Sequence, residues 1–448
     1  MATDELVSAI KNALAAGDRD RVLSLVNQSD PSQWPSVMPQ LDELELQLLV
    51  RFLPEDALSE LLSEIEPIEA AHILRSLSHP QAADLLEAMA PDDATDVIDE
   101  LPEDQAEQIL IQMEPAGAAE IRELLAFPAD SAGGIMTPGF VAISPNLRAS
   151  QAIAALQRVS EEAETMYYVY VVDDLERLLG VLSLHRLVLT RPDTPVRELM
   201  VTDPVRIDAS ADREAAARLL VDRNLLALPV VDAGNRLLGI ITQDDVADVL
   251  EEEATEDIER LGGSQPLDVP YRYAGVTLLF RRRIFWLLLL FAAEAYTGTV
   301  MRHFEGELAQ VVALSFFVPL LIGTGGNIGS QVTTTLVRAI AVGEVTLRDV
   351  RWVLAKEIAV GFVLGLVMAV FAYGRSQLLH VGHDVGFVIA LTIFAICVWS
   401  AAVAAILPLI INRLRIDPAV VSAPLITTLV DGTGLVIYFS IAKRLLHL

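Results

Sequence analysis

The 448-residue sequence holds a single cysteine, Cys397, inside an apolar run, which excludes a disulfide framework and a cysteine-based zinc site. Basic residues are also scarce, 32 Lys and Arg against 61 Asp and Glu, giving a net charge of −29. The shortage is confined to the first part. Residues 271–448 contain 14 basic and 9 acidic side chains and carry +5, whereas residues 1–270 contain 18 and 52 and carry −34. So acidic a region repels phosphate backbones, which excludes nucleic acid as a partner, and it attracts cations. The opening "MATDELVSAIKNALAAGD" lacks a basic stretch leading into an apolar core, so no cleaved signal peptide is expected and the first half is expected in the cytosol. No nucleophile with a base and no phosphate loop is recognisable, so the chain is not expected to be an enzyme.

Two internal repeats organise the acidic part. Pro54, Pro67, Pro80, Pro91, Pro102 and Pro115 each open a short apolar-periodic segment, with Ala57, Ala70, Ala83, Ala94 and Ala118 three places on and Ala106 one place late. Proline suits a first helical turn and alanine lets neighbouring helices approach, so residues 1–130 read as an all-α solenoid of either hand. Next, "VVDDLERLLGVLSLHRLV" from Val171 and "VVDAGNRLLGIITQDDVA" from Val230 repeat a buried strand, polar turn, strand and helix. With "MTP" at Met136 and "MVTDP" at Met200 opening the copies, this resembles an α/β tandem CBS pair, 131–196 and 197–250. CBS pairs often hold adenine nucleotides through an S/T-x-x-D motif. Thr242 and Asp245 fit it and Ser183 with Arg186 does not, so at most one ATP-like site is expected beside a purely structural alternative.

An acidic helical segment, "DDVADVLEEEATEDIERLGG", then leads to the membrane, with a connecting helix placed at 251–270. Its like charges four residues apart oppose helix formation, so it calls for a counterion or a basic partner. Apolar stretches at 284–303, 309–337, 353–379, 385–411 and 419–442 are each long enough to span a bilayer, making a five-helix domain over 271–448. Arg281, Arg282 and Arg283, then Arg338, Arg348 and Arg351, then Arg413 and Arg415 mark the cytosolic side, which leaves the C-terminus outside. In "FFVPLLIGTGGNIGSQ", Pro319 and the glycines either open the backbone, so that its carbonyls, with Asn327, face a cavity, or serve close helix packing. Asp431, flanked by Gly432 and Gly434, adds a carboxylate at membrane depth. Oxygen ligands with little bulk suit a hard cation. Glu294 is a second intramembrane acid, and His380, His383 and Asp384 form a weak metal-like spacing in an outer loop.

Taken jointly, "GTGGNIGSQ", "DPAVVSAPLITTLVDGTGLVIYF", "LEEEATEDIERLGG", the CBS pair and the solenoid resemble the MgtE family of magnesium transporters in the family's order. That resemblance implies a homodimeric Mg²⁺ channel in the lipid bilayer of the cell membrane, with a pore on the two-fold axis lined by the second and fifth spans. It implies Asp431 as the pore ligand, Asn327 lining the pore, and the acidic helix as a plug. It further implies Mg²⁺ ions that close the pore from the cytosol, held by Asp245, Asp248, Glu253, Glu256, Asp257 and Asp417, and with looser correspondence by Asp212, Glu214, Asp92, Asp96 and Glu60. The sequence departs from the family pattern at Ile328, where a smaller or polar residue is expected, and at Ala423, where glycine is common. The alternative is a carrier of another divalent cation, Co²⁺ or Mn²⁺, regulated by nucleotide at the CBS pair.

Overall fold

The computed structural model describes residues 2–158, 167–414 and 416–448. They form two compact units, Met1–Glu251 and Glu252–Leu448. The N-terminal region of the first unit is all helical, as the proline repeat predicts. Pro67, Pro91 and Pro115 are the first residues of their helices, Pro80 is in the first turn, and Pro54 and Pro102 stand at the N-cap. The alanines one turn on are where helices meet: Ala70, Ala83, Ala94 and Ala118 are buried in one continuous core with Leu62, Leu74, Leu86 and Ile98. Ala57 and the displaced Ala106 are only half-buried.

Two small sheets follow. β1 (Ala142–Ile143), β2 (Tyr168–Val172), β3 (Leu178–Ser183) and β4 (Val201–Thr202) pair in that order; β5 (Ile207–Asp208), β6 (Ala227–Val231) and β7 (Leu237–Thr242) form the second sheet. The duplicated motif has a local physical cause. In the β2–β3 turn, Asp173 Oδ1 accepts from the amides of Leu175 and Arg177, both at 2.9 Å. In the β6–β7 turn, Asp232 Oδ1 accepts from those of Gly234 and Arg236, both at 2.8 Å. An aspartate that closes a turn on its own backbone sets the hairpin register. The two hairpins then exchange backbone bonds, Leu178 N to Asn235 O at 2.9 Å and Leu237 N to Glu176 O at 3.0 Å, which gives the pair its internal symmetry.

The second unit holds five apolar helices long enough to cross a membrane: Val276–His303, Val312–Ala341, Leu347–Leu378, His383–Arg413 and Ala423–Leu445, the second and third beginning in short 3-10 turns. Phe285, Leu287, Leu288, Leu289 and Phe291 stay exposed on the first span, as a lipid-facing surface requires. Arg415, one of the expected cytosolic cations, lies outside the described residues. Of the two readings of the second span, close packing holds. Rather than opening, the helix runs unbroken through Val318–Ala341, with Pro319 in its first turn, where the missing N–H costs no bond. Its glycines serve close packing instead. A Cβ on Gly326 would sit 2.7 Å from Thr427, and one on Gly329 would sit 2.5 Å from Ile426. The freed carbonyl expected of the cavity is occupied, since Ser400 Oγ donates to Gly325 O at 2.6 Å.

The first and fifth spans run parallel at a constant register. Trp286 Nε1 donates to Ser422 Oγ at 3.2 Å, and Lys443 Nζ to Glu307 Oε1 at 2.7 Å just past the other end, each pair 136 residues apart. Midway, the Tyr296 ring fills the space beside Gly432, 2.3 Å from where a Cβ would lie.

Candidate ion path and acidic sites

Asp431 is carried on the buried face of the fifth span, whose start is capped by Ser422 Oγ accepting from the Leu425 amide. It is 7% exposed, and among the described residues its Oδ1 has no hydrogen-bond partner. A carboxylate oxygen left bare inside an apolar bundle costs roughly 1–3 kcal/mol or more, so the position is held against its own stability. Glu294 lies exposed on the first span, two residues before the Tyr296 that packs against Gly432.

Asn327 is not beside it in a closed cluster. Its side chain is exposed, on a face of the second span that continues through Gln331, Thr334, Thr335 and Arg338. The two spans are nonetheless in contact, with Ser330 Oγ 3.4 Å from Thr427 Oγ1. Ile328 points the other way, 7% exposed in the bundle core, which accounts for a large residue at that position. Among the described residues no group of three or more His, Cys, Asp and Glu is gathered to hold a metal ion. Where the third span gives way to the fourth, His383 Nδ1 is 3.1 Å from the Tyr373 hydroxyl.

At the membrane edge the acidic helix, Gln243–Leu261, finds a basic partner within its own sequence. Arg260 pairs with Glu256 one turn earlier and with Asp417, the residue that caps the turn before the fifth span. Two of the expected metal ligands are thus joined through one guanidinium. The helix stops at Gly263, whose φ of +75° favours glycine and whose missing Cβ admits the Trp286 ring at 2.7 Å. Glu253 and Asp257 are half-buried on this helix.

In the first unit, Asp245 Oδ2 accepts from Thr242 N at 2.9 Å and from Thr242 Oγ1 at 2.6 Å, so the S/T-x-x-D pair is turned in on itself as a helix cap. Burial, with Asp92 and Asp244 adding to it, pushes the Asp245 carboxyl up to about 7. Asp92 of the solenoid is near enough for its charge to act on Asp245, while Asp96 is exposed on the same helix. A second acidic meeting was not foreseen. Burial, then the charges of Glu60, Asp30 and Asp248, raise the Glu64 carboxyl, although the four acids are not drawn into a group that could hold a metal ion. Neither Glu64 nor Asp30 stands out in sequence from the many acids around it. Asp212 Oδ1 accepts from the Ala215 amide at 3.0 Å as a helix cap, and Glu214 pairs with Arg218. A surface cleft of about 650 Å³ is lined by Glu123, Asp130, Asp208, Asp212 and Asp232 with Arg236, a set better suited to cations than to polyphosphate.

The comparisons with known proteins agree with this layout. A family model described as a divalent cation transporter, MgtE, matches residues 318–441. The MgtE intracellular N domain matches 29–130, and CBS domains match 132–191 and 196–252. The magnesium transporter MgtE of Thermus thermophilus is 43% identical over 73% of both chains, and that of Bacillus subtilis 36% identical over 73% of this chain and 72% of its own. Among solved structures, the soluble part of a magnesium transporter superposes with a TM-score of 0.52 at 31% identity, covering 56% of this chain and 99% of its own. The cytosolic domain of the Mg²⁺ channel MgtE in complex with ATP gives 0.52 at 33% identity, covering 54% and 99%. With five apolar spans, a CBS pair and relatives of this identity over most of its length, the chain is an integral membrane protein and a member of the MgtE family of magnesium transporters, which are not enzymes.

Proposed function

We propose that the protein is a Mg²⁺-selective channel that admits Mg²⁺ to the cytosol and is closed by cytosolic Mg²⁺ on its acidic soluble domains. One observation carries the ion path: Asp431, with an unpartnered oxygen, lies on a helix packed against a second span whose polar face is uncovered. Lipid cannot satisfy Asn327, Gln331, Thr334 and Thr335, so that face meets water or a second copy. A homodimer with the second and fifth spans around its axis supplies both, and sets two Asp431 carboxylates before a hydrated cation. The soluble half then lies in the cytosol and the C-terminus outside. Lys443, a cation on the outer side, is neutralised there by Glu307.

For closure, Asp92 with Asp245, and Glu60 and Glu64 with Asp248, are the acidic meetings within the soluble unit; Glu256, Glu253, Asp257 and Asp417 serve at the membrane edge. Each pair of like charges about 4 Å apart repels by roughly 1–4 kcal/mol at effective dielectrics of 80 to 20, and a bound Mg²⁺ reverses the sign. Several such sites reach the roughly 5.5 kcal/mol of differential binding that takes a gate from mostly open to mostly shut. Flux into liposomes with Mg²⁺ on one side tests the path, and Asp431→Ala conducting like the parent would refute it. A second reading, nucleotide at the CBS pair, is favoured by the likeness to a cytosolic domain crystallised with ATP. Calorimetry of ATP against the protein, with and without Thr242→Ala, tests it.

A further inference from the structure

The pore reading draws on the second and fifth spans and leaves the first span as packing. The first span has polar features at the depth of Asp431 that packing does not explain. Thr299, Thr324, Thr335, Thr427, Thr428 and Thr433 each donate their hydroxyl to the carbonyl four residues back, the usual way to satisfy a threonine in an apolar helix. Thr297 does not. It is 5% exposed, and among the described residues its Oγ1 has no partner. Thr333 and Thr392 share that lack, but their spans carry no carboxylate at membrane depth.

The parallel register says where Thr297 is. With Tyr296 against Gly432, Glu294 and Thr297 fall one turn apart on the first span at the level of Asp431. Thr297 Oγ1 itself lies 3.4 Å from where a Cβ on Gly432 would be, so the hydroxyl faces the fifth span at the residue that follows Asp431. Two oxygens, Asp431 Oδ1 and Thr297 Oγ1, are therefore more than nine-tenths buried and unpartnered on facing helices, and Glu294, exposed on the first span, stands one turn from Thr297.

We infer that the first span supplies ligands to the ion path: the Thr297 hydroxyl and the Glu294 carboxylate complete, with Asp431, an oxygen-lined niche for a divalent cation. This rests on the reading of Asp431 as the pore carboxylate. A divalent cation is the ligand that satisfies both bare oxygens and removes the repulsion of two carboxylates at once. Oxygens from three side chains match a hard cation that takes oxygen ligands. Gly432 is what lets the first span come near enough to contribute.

The test uses the full chain in liposomes. Thr297→Val, which keeps the shape and removes the hydroxyl, raises the half-saturating Mg²⁺ for flux roughly tenfold, the loss of one charge-assisted contact, while Thr297→Ser restores it. In a Cys397→Ala background, Glu294→Cys reacts with a cationic, water-borne methanethiosulfonate, and Mg²⁺ slows that reaction at least severalfold. This second measurement needs no conducting variant. If Asp431→Asn stops flux while Thr297→Val keeps the parental Mg²⁺ dependence and Glu294→Cys labels without regard to Mg²⁺, the first-span ligands are overturned and the pore carboxylate stands. If Asp431→Asn leaves flux intact, the pore reading falls and takes this inference with it.

Discussion

Replacing Arg260 by alanine separates two roles that its position allows. The guanidinium joins Glu256 to Asp417, and all three side chains are about one-third exposed or less, at 32%, 24% and 32%. If Mg²⁺ closes the channel by binding these carboxylates, it must first displace a cation the chain itself provides. Exposed ion pairs contribute roughly 0.2–1 kcal/mol each, and partial burial lifts these two to the upper end, so displacement costs about 1–2 kcal/mol. Arg260→Ala removes that cost, and the cytosolic Mg²⁺ giving half closure falls by about five- to thirtyfold. Arg260→Lys, a single point charge in place of a fork, falls between alanine and the parent. The assay is channel current in excised inside-out patches, with Mg²⁺ titrated on the cytosolic face. A variant that needs more Mg²⁺ to close would show that Arg260 holds the helix shut as a structural clamp, and the competition argument would be wrong.

Asp245→Asn keeps the acceptor for Thr242 and removes a charge whose folded pKa, about 7, lies above its unfolded value. The native state therefore binds the extra proton, so Mg²⁺-free protein gains stability as pH falls from about 7 towards 4 and the Asn variant loses that dependence. Thermal unfolding of the soluble unit in chelator should show the variant melting higher at pH 8, yet gaining less from added Mg²⁺; equal Mg²⁺ gains would remove Asp245 from the ligands. Gly329→Val drives a side chain into Ile426 and costs about 1–3 kcal/mol, read as a lowered melting point and poor yield in detergent. A stable, normally conducting variant would contradict the packing role. Neutralising Glu253, Glu256 and Asp257 together leaves current flowing at high cytosolic Mg²⁺, and closure at the parental concentration would exclude them as gating ligands.

The helical solenoid, the hairpins and the five spans were legible because each is written at short range, in prolines at helix starts, in turn-closing aspartates and in apolar length. The acidic meetings were legible only in part. Asp92 and Asp245 are 153 residues apart, and what joins them is tertiary packing, so the residues came from resemblance and not from spacing. Glu64 was missed because, among so many acids, nothing local marks the one on which the charges of Glu60, Asp30 and Asp248 act. The glycine run of the second span was left between two readings for a related reason. Glycines that open a backbone and glycines that admit a neighbour look alike until the neighbour, here Thr427 and Ile426, is known. Arg260 illustrates the converse, a residue passed over because it is the lone base in an acidic helix, when that isolation is what makes its placement matter.

The joint at Gly263 has one more consequence. The end of the acidic helix, the Trp286 ring and Pro424 meet at this single residue, and Gln265 N donates to Arg282 O at 3.0 Å just beyond it. The first and fifth spans are in turn fastened to each other by Trp286 with Ser422 and by Lys443 with Glu307. The end of the acidic helix is thus tied through one residue to the pair of spans that carries Asp431.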